Sequence, residues 1–261
     1  MKRLSRIAFM NISVDNVTME EALDAVETLA AGKTPAFVLT PNVDHIVQLE
    51  SNARLREAYR RADLVLADGK PLLWISRLYG TPIREKISGA DLFPRLCARA
   101  AQKHLRLFFL GAAEGVAAEA ARRLALRYPE LNVAGAYSPP YGFENQPEEV
   151  EKTISIVREA APDILIVGLG CPKQECFICE NLARLGVPVS LGLGASLDFE
   201  AGQVRRAPVW MSNCGLEWLY RLCQDPLRLT RRYLVDDMKI FPLMLKYYPK
   251  RKATGRHENS D

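Results

Sequence analysis

The sequence lacks the features of an integral membrane protein and of a disulfide-stapled secreted domain. No run of about 18 apolar residues, the length that crosses a bilayer, occurs in its 261 residues. The N-terminus is positively charged, but polar Asn11 interrupts the apolar run that a signal peptide needs. Six cysteines are too few to staple a chain that can bury a large core without them. We therefore expect a protein that is made and kept in a reducing cytoplasm.

Several cofactor and metal signatures are also missing. There is no Gly-x-x-x-x-Gly-Lys-Ser/Thr, which excludes ordinary P-loop chemistry, and no Asp-x-Asp. The turns Gly168–Gly170 and Gly192–Gly194 both lack the third glycine of the dinucleotide fingerprint. Cys176 and Cys179 form a lone Cys-x-x-Cys beside three scattered histidines, whereas a zinc site needs four ligands. The sequence predicts no metal and no cofactor, and it favours buried helical thiols at the two cysteines.

Net charge is small but unevenly distributed. The whole chain carries 35 Lys and Arg against 31 Asp and Glu, a net charge of +4. Residues 202–252 hold eleven of the basic residues and four of the acidic ones, so this fifth of the chain has a charge of +7. Such asymmetry predicts an anionic partner, whether nucleic acid, a membrane surface or a phosphorylated substrate. A solvated, arginine-rich helical face explains the charge equally well.

Short apolar runs alternate with longer helical patterns through most of the chain. Strands are expected at residues 36–40, 64–67, 105–110, 164–167 and 187–191. Helices are expected from about 44 to 62 and from 115 to 127. The repeated order of strand, glycine or polar turn, and helix is the signature of parallel βαβ units. Because the strands are apolar throughout, we expect an α/β fold whose mostly parallel sheet is covered on both faces.

Ligands of open α/β sheets bind at the carboxyl ends of the strands, and that edge defines the candidate site. It collects Thr40, Asn42, Asp68, Gly111, the turn 168–175 and the turn 192–195. A carboxylate at this position can act as a general base, although an Asx-turn or a helix cap is the commoner role of an Asp before Gly. Thr40 and Asn42 could likewise either face the crevice or cap the helix that follows.

Two further turns at this edge have polar or glycine residues suited to a ligand. Gly111 ends a strand just before a helix, so the backbone N–H groups of residues 111–115 could hold an anion; a tight turn is an equally good explanation. Gln174 lies beyond a glycine turn, where its side chain could hydrogen-bond a sugar or a base.

The chain changes character after Asp198. Residues 202–252 are rich in arginine and aromatic residues and show no strand pattern. They end in an apolar stretch, 240–248, followed by the basic cluster 250–252, which is typical of an interfacial membrane anchor. The alternative is a pair of helices packed on the core. We therefore divide the chain into a core (1–201), a basic helical appendage (202–252) and a polar tail (253–261).

Ordered motifs along the chain resemble one family of proteins. They are Thr40-Pro41-Asn42, Ala67-Asp68-Gly69, Ile87 to Leu92, Gly168 to Glu175, Gly192 to Ala195, and Arg206-Ala207-Pro208 continuing to Gly215 to Trp218. Together they resemble the WecG/TagA/CpsF glycosyltransferases over roughly Asn11 to Tyr233. The resemblance implies a Rossmann-like core and an inverting transfer from a UDP-sugar to a polyprenyl-diphosphate-linked sugar. Such a transfer belongs to the synthesis of a surface polysaccharide or wall polymer, and the family moves N-acetylmannosamine, its uronic acid or related hexoses.

The same resemblance implies roles for particular residues. Asp68 takes the place of the catalytic base. Substrate-binding positions fall on Thr40, Asn42, Lys86, Gly111, Gln174, Gly194, Arg221, Arg228 and Arg231. Lys86 stands where the family often has arginine; it keeps the charge and loses the bidentate fork.

The chemistry of the transfer agrees with these residues. An inverting transfer needs one base for the acceptor hydroxyl and positive charge for the departing UDP, which arginines and helix N-termini must supply when no metal motif is present. The expected partners are a UDP-sugar, the lipid-linked acceptor and a membrane surface reached through the appendage, but no nucleic acid. Self-association of the chain is a further expectation. The expected location is the cytoplasmic face of the cell membrane.

Two alternatives come from other classes of protein. A Rossmann-type NAD-dependent oxidoreductase would use the same crevice, although the incomplete glycine fingerprint disfavours it. A non-catalytic module that binds nucleic acid or membrane would use the basic segment and leave the polar strand ends without a role.

Overall fold

A computed structural model describes residues 5–249 of the chain, and a six-stranded parallel sheet lies at its centre. The strands of this sheet are β3 (Ala36–Leu39), β4 (Leu64–Val65), β5 (Arg106–Gly111), β6 (Asn132–Tyr137), β7 (Ile164–Gly168) and β8 (Val189–Gly192). They are ordered β4-β3-β8-β7-β5-β6, and every neighbouring pair is parallel. The α/β class and the parallel sheet are thereby confirmed. A separate antiparallel hairpin precedes the sheet, formed by β1 (Arg6–Phe9) and β2 (Ile12–Asp15).

Thirteen α-helices surround the sheet within the described range. Those of the core are α1 (Met19–Ala30), α2 (Val43–Gln48), α3 (Ala53–Arg61), α4 (Lys70–Leu78), α5 (Gly89–Gln102), α6 (Val116–Arg127), α7 (Pro147–Ala160), α8 (Lys173–Leu185) and α9 (Ser196–Glu200). Those of the appendage are α10 (Val209–Asn213), α11 (Glu217–Gln224), α12 (Pro226–Arg231) and α13 (Ile240–Lys246). A π-helical turn (Arg232–Asp236) and a 3-10 turn (Asp237–Lys239) connect α12 to α13, and a further 3-10 turn spans Phe143–Asn145.

The prediction of one helix from about 44 to 62 is wrong, because a helix cap divides this segment into two helices. The first helix, α2, ends at Gln48, and Asn52 adopts an extended backbone before α3. The Asn52 side chain accepts a hydrogen bond from the backbone N–H of Leu55 at 3.0 Å. A side-chain oxygen that satisfies a free N–H of the first turn starts a new helix at this point.

Helices cover both faces of the sheet, as the apolar strands predict. Alternate residues of a strand point to opposite faces, so Phe37 and Leu39 pack into one core cluster and Val38 into the other. The first of these clusters includes side chains of α2, α3, α7 and α8, and the second includes those of α1, α5, α6 and α9. The parallel strands are therefore buried on both sides, and their carboxyl ends form one edge where polar residues collect.

The appendage lies against the core at several points. The Tyr79 hydroxyl donates to the backbone carbonyl of Met244 at 2.7 Å, and Tyr247 donates to the carboxylate of Glu50 at 2.8 Å. Arg232 pairs with Asp44 of α2 at 3.2 Å. Within residues 5–249 no helix is long and apolar enough to span a membrane. The basic cluster 250–252 and the polar tail 253–261 lie outside the described residues.

Candidate active site

A pocket opens at the carboxyl edge of the sheet, where the sequence places the candidate site. Side chains after β3, β4, β7 and β8 line it from the core, and helices of the appendage close it from outside. The polar residues on its wall are Thr40, Asn42, His45, Asp68, Ser88, Gln174, Ser196, Glu217, Arg221, Arg228 and Arg232. The structure thus brings together residues from most of the ordered motifs.

Asp68 is a free carboxylate on the wall of this pocket. Its backbone N–H donates to the carbonyl of Pro41 at 2.8 Å, which fixes the chain after β4. The cap of helix α4 is Gly69, so Asp68 does not serve as that cap. Between residues 5 and 249 no protein group donates a hydrogen bond to the half-buried Asp68 carboxylate, which leaves it open to a ligand.

Burial raises the pKa of Asp68 to about 7. The positive charge of Lys86 opposes this rise, and the carboxylates of Glu217 and Asp91 add to it. A carboxyl group with a pKa near neutrality is basic enough to take a proton from a hydroxyl and is still ionised in part at pH 7. Asp68 therefore has the environment of a general base.

Lys86, whose positive charge acts on Asp68, is held by another carboxylate. Its ammonium group contacts Asp91 at 2.7 Å. Burial lowers the pKa of Lys86, but the hydrogen bond with Asp91 and the charges of Asp91, Asp68 and Glu217 raise it overall. Lys86 is consequently a permanent positive charge next to the pocket, although it does not form part of the pocket wall.

Thr40 and Asn42 both line the pocket and both make bonds to the protein. The Thr40 hydroxyl donates to the carbonyl of Gly192 at 3.1 Å, joining the ends of β3 and β8. The Asn42 side-chain oxygen accepts from the backbone N–H of Asp44 at 3.1 Å and lies 2.9 Å from Nδ1 of His45. Asn42 thereby caps α2. The cap interpretation of Asn42 is correct, and the residue still forms part of the pocket wall.

Gln174 is buried against the turn that follows β8. Its side-chain oxygen accepts from the backbone N–H of Gly194 at 3.0 Å, and its nitrogen donates to Glu175 at 2.8 Å. Nε2 of His45 lies 3.1 Å from the same Glu175 oxygen. Gln174 thus fixes the position of Gly194 on the pocket wall, and two buried residues that the sequence analysis did not single out, His45 and Glu175, support it.

Gly111 lies outside the pocket wall. Its φ is +110°, and a Cβ at this position would lie 2.6 Å from the carbonyl oxygen of Gly168. The next backbone N–H, that of Ala112, donates to this same oxygen at 2.8 Å. The residue at 111 must be glycine so that the ends of β5 and β7 can approach each other, and the amide after it is already used within the protein.

The arginines of the appendage divide into two groups. Arg221, Arg228 and Arg232 line the pocket, whereas Arg231 is exposed away from it and lies 3.9 Å from Asp236. The resemblance implies a binding role for Arg231 and does not single out Arg232. Arg232 directly follows α12 and begins a π-helical turn.

One group of side chains in the described part of the chain has the spacing of metal ligands: Asp44, His45 and Cys171. Both ring nitrogens of His45 already lie within hydrogen-bond distance of Asn42 and Glu175, and the guanidinium of Arg232 pairs with Asp44. The ring nitrogens of His45 and the carboxylate of Asp44 are thus already bound within the protein, and Asp44 is paired with a cation. The cluster therefore does not fit a metal.

The prediction of buried thiols on a helix is confirmed for the lone Cys-x-x-Cys. Cys176 and Cys179 are free, buried and on α8. Burial raises the pKa of Cys176 to about 11, and it also raises that of Cys179. Neither is a reactive thiolate at neutral pH.

Comparison with known proteins shows similarity along nearly the whole chain. The sequence model of the glycosyl transferase WecG/TagA/CpsF family matches residues 7–254. An N-acetylglucosaminyldiphosphoundecaprenol N-acetyl-beta-D-mannosaminyltransferase of Bacillus spizizenii is 37% identical over 75% of this chain and 74% of its own length. The protein of the same name from Bacillus subtilis is 34% identical over 72% and 73%. The one from Staphylococcus aureus (strain MW2) is 28% identical over 87% and 88%.

Proposed function

The chain belongs to the WecG/TagA/CpsF family of glycosyltransferases, and from this membership we propose that it transfers N-acetylmannosamine from a UDP-sugar to N-acetylglucosaminyl-diphosphoundecaprenol. The names of the relatives support this choice of sugar and of acceptor. Family membership also decides against the NAD-dependent oxidoreductase alternative. The product would enter a surface polysaccharide or a cell-wall polymer.

The observation that carries the proposal is the free Asp68 carboxylate with a pKa near 7 on the pocket wall. Asp68 takes the proton of the acceptor hydroxyl as the hydroxyl oxygen attacks the anomeric carbon. The new C–O bond forms as the bond to UDP breaks, and UDP leaves with the bonding electrons. Attack on the face opposite the leaving group inverts the anomeric centre.

Positive charge for the departing UDP comes mainly from the appendage. Arg221, Arg228 and Arg232 line the same pocket as Asp68, and the positive charge of Lys86 also acts on Asp68. Fixed cations in a partly desolvated pocket stabilise the negative charge that develops on the diphosphate. The wall against which the donor binds is shaped by Thr40, Asn42, Gln174 and Gly194. The proposed roles of Gly111 and Arg231 in binding are indirect, because neither residue reaches the wall.

The outer surface of the appendage supports binding to a membrane. Leu227 and Leu245 are 97% and 81% exposed, and further large apolar side chains along α10 to α13 are also exposed. The segment carries a net charge of +7, counting its basic cluster 250–252. Exposed apolar side chains among basic residues bind the surface of an anionic bilayer. We place the protein on the cytoplasmic face of the membrane, where a lipid-linked acceptor is accessible; self-association stays a prediction.

The transfer is tested with the purified full chain, UDP-N-acetylmannosamine and a lipid-linked N-acetylglucosamine diphosphate, with release of UDP as the readout. Asp68→Asn keeps the shape of the side chain and removes the base, so we expect kcat to fall by about 10²-fold or more. Glu114→Gln is the matched control, because Glu114 is an exposed carboxylate at the same edge of the sheet that does not line the pocket. Near wild-type transfer by Asp68→Asn would contradict the assignment of the base.

Membrane binding is tested separately by sedimentation with anionic vesicles. Leu245→Glu places a charge on the exposed face of α13 and is expected to weaken binding. Leu126→Glu is the matched control, because Leu126 is 72% exposed on α6 of the core. Equal loss of binding in both variants would argue against the appendage as the docking surface.

A further inference from the structure

Asp91, in the first turn of α5, connects two cations that belong to different parts of the chain. Lys86 of the core contacts its carboxylate at 2.7 Å, and Arg206 of the appendage donates to it at 2.5 Å. Ser88 donates to it at 2.6 Å, and Arg206 also donates to the carbonyl of Ala90 at 3.2 Å. One carboxylate therefore links the residue next to the proposed base with the segment that leads into the appendage.

We propose that Asp91 is a positioning residue, which fixes the ammonium group of Lys86 and links the position of that lysine to the docking of the appendage through Arg206. The proposal rests on the role of Asp68 in the proposed function. Asp91 and Arg206 thereby fix the position of a cation whose charge acts on the base.

The geometry explains why Lys86 needs such a partner. Only 14% of its side chain is exposed, so its ammonium group depends on a nearby carboxylate. The contact goes to Asp91, and the charge of Asp68 also acts on Lys86. Asp68 itself has no hydrogen-bond donor from the protein between residues 5 and 249, so its carboxylate is free to act as a base.

Asp91 remains charged while Asp68 titrates. Burial raises the pKa of Asp91, but hydrogen bonds from Lys86, Ser88 and Arg206 outweigh it and hold this pKa well below the usual range. Lys86 and His45 lower the pKa of Asp68, and Glu217 and Asp91 raise it. The guanidinium groups of Arg221, Arg228 and Arg232 line the same pocket.

Two substitutions are expected to shift the pH dependence in opposite directions. Asp91→Asn removes a negative charge and frees Lys86 to pair with Asp68, so the acid limb of kcat/KM should move to lower pH by about one unit. Arg206→Gln leaves Asp91 with Lys86 and Ser88 as its partners and removes a positive charge, so the acid limb should move to higher pH. Arg205→Gln is the matched control: between residues 5 and 249 its exposed side chain has no ion pair, and its backbone bonds to Gln224 persist.

The same shift is measured without catalysis by following the Asp68 carboxyl carbon in an NMR pH titration. Asp91→Asn should lower the Asp68 pKa and Arg206→Gln should raise it, with thermal unfolding confirming that both variants are folded. Unchanged titration of Asp68 in both folded variants, or shifts of the same sign, would overturn the role of Asp91. If Asp68 shifts as expected but the wild type transfers no sugar, the proposed function fails and the coupling of Asp91 to Asp68 stands.

Discussion

Asp68→Asn should make the folded protein more stable at alkaline pH even though it removes the proposed base. The folded state keeps the Asp68 proton up to about pH 7, whereas an unfolded chain loses it near the ordinary value of 3.8. The unfolded state therefore binds fewer protons in this interval, and the free energy of unfolding falls as the pH rises from about 4 to about 7. Above pH 7 the free energy of unfolding is lowered by the full cost of the buried Asp68 charge in the folded state.

The size of the effect follows from the two pKa values. A difference of about three pKa units at about 1.4 kcal/mol per unit amounts to about 4 kcal/mol. Asparagine has the same shape and no charge, so it removes most of this cost. We expect a stabilisation of about 2–4 kcal/mol at pH 8, which raises Tm by about 4–16 °C in a protein of this size, and a change near zero at about pH 4.

Thermal unfolding of the wild type and Asp68→Asn, without nucleotide and at several pH values, measures this difference. Glu114→Gln is again the control, because a charge on an exposed carboxylate carries no such cost. A variant that is no more stable than the wild type at pH 8, or equally stabilised at pH 4 and pH 8, would refute a desolvated Asp68. Loss of transfer together with a gain in stability is the signature of a residue kept for function.

Three further outcomes follow from the site and its surroundings. Arg232→Gln should weaken UDP binding by about 10-fold or more in calorimetry, since a charge-assisted hydrogen bond contributes about 1.5–3 kcal/mol. Glu175→Ala leaves the buried groups around it unpaired and should cost about 3–5 kcal/mol, which thermal unfolding would show as a fall in Tm. The exposed thiols of Cys214 and Cys223 should react promptly with a disulfide reagent, and the buried thiols of Cys97, Cys176 and Cys179 only on unfolding.

The central sheet and the position of Asp68, the proposed base, at its edge could be predicted from the sequence because both depend on local pattern. Continuous apolar runs mark strands covered on both sides, and a polar residue directly after such a run lies at the carboxyl edge, as Asp68 does. β6 was not predicted, because it is only half-buried and lacks a continuous apolar run. The β1–β2 hairpin was missed as well.

Features that depend on tertiary contacts could not be predicted in this way. Glu175 and His45 are adjacent only after α2 and α8 pack on the same face of the sheet, so no spacing in the sequence indicates their pairing. Arg232 reaches the pocket beside Asp44, a contact between α2 and the appendage that no spacing in the sequence indicates. Asp91 lies within a recognised motif, but its importance appears only when Arg206, 115 residues later, reaches it.

In the proposed function the appendage contributes more than affinity for an anionic surface, because it supplies both signs of charge to the pocket. Its arginines line the pocket in which we propose that the diphosphate leaves, while Glu217 raises the pKa of Asp68. Burial is the main cause of that raised pKa, and helices of the appendage form part of the pocket wall. We therefore expect a core with the appendage displaced to hold Asp68 as a more acidic carboxylate and a weaker base. The basicity that the proposed transfer requires would then depend on contacts between the appendage and the core, such as those of Arg206 and Arg232.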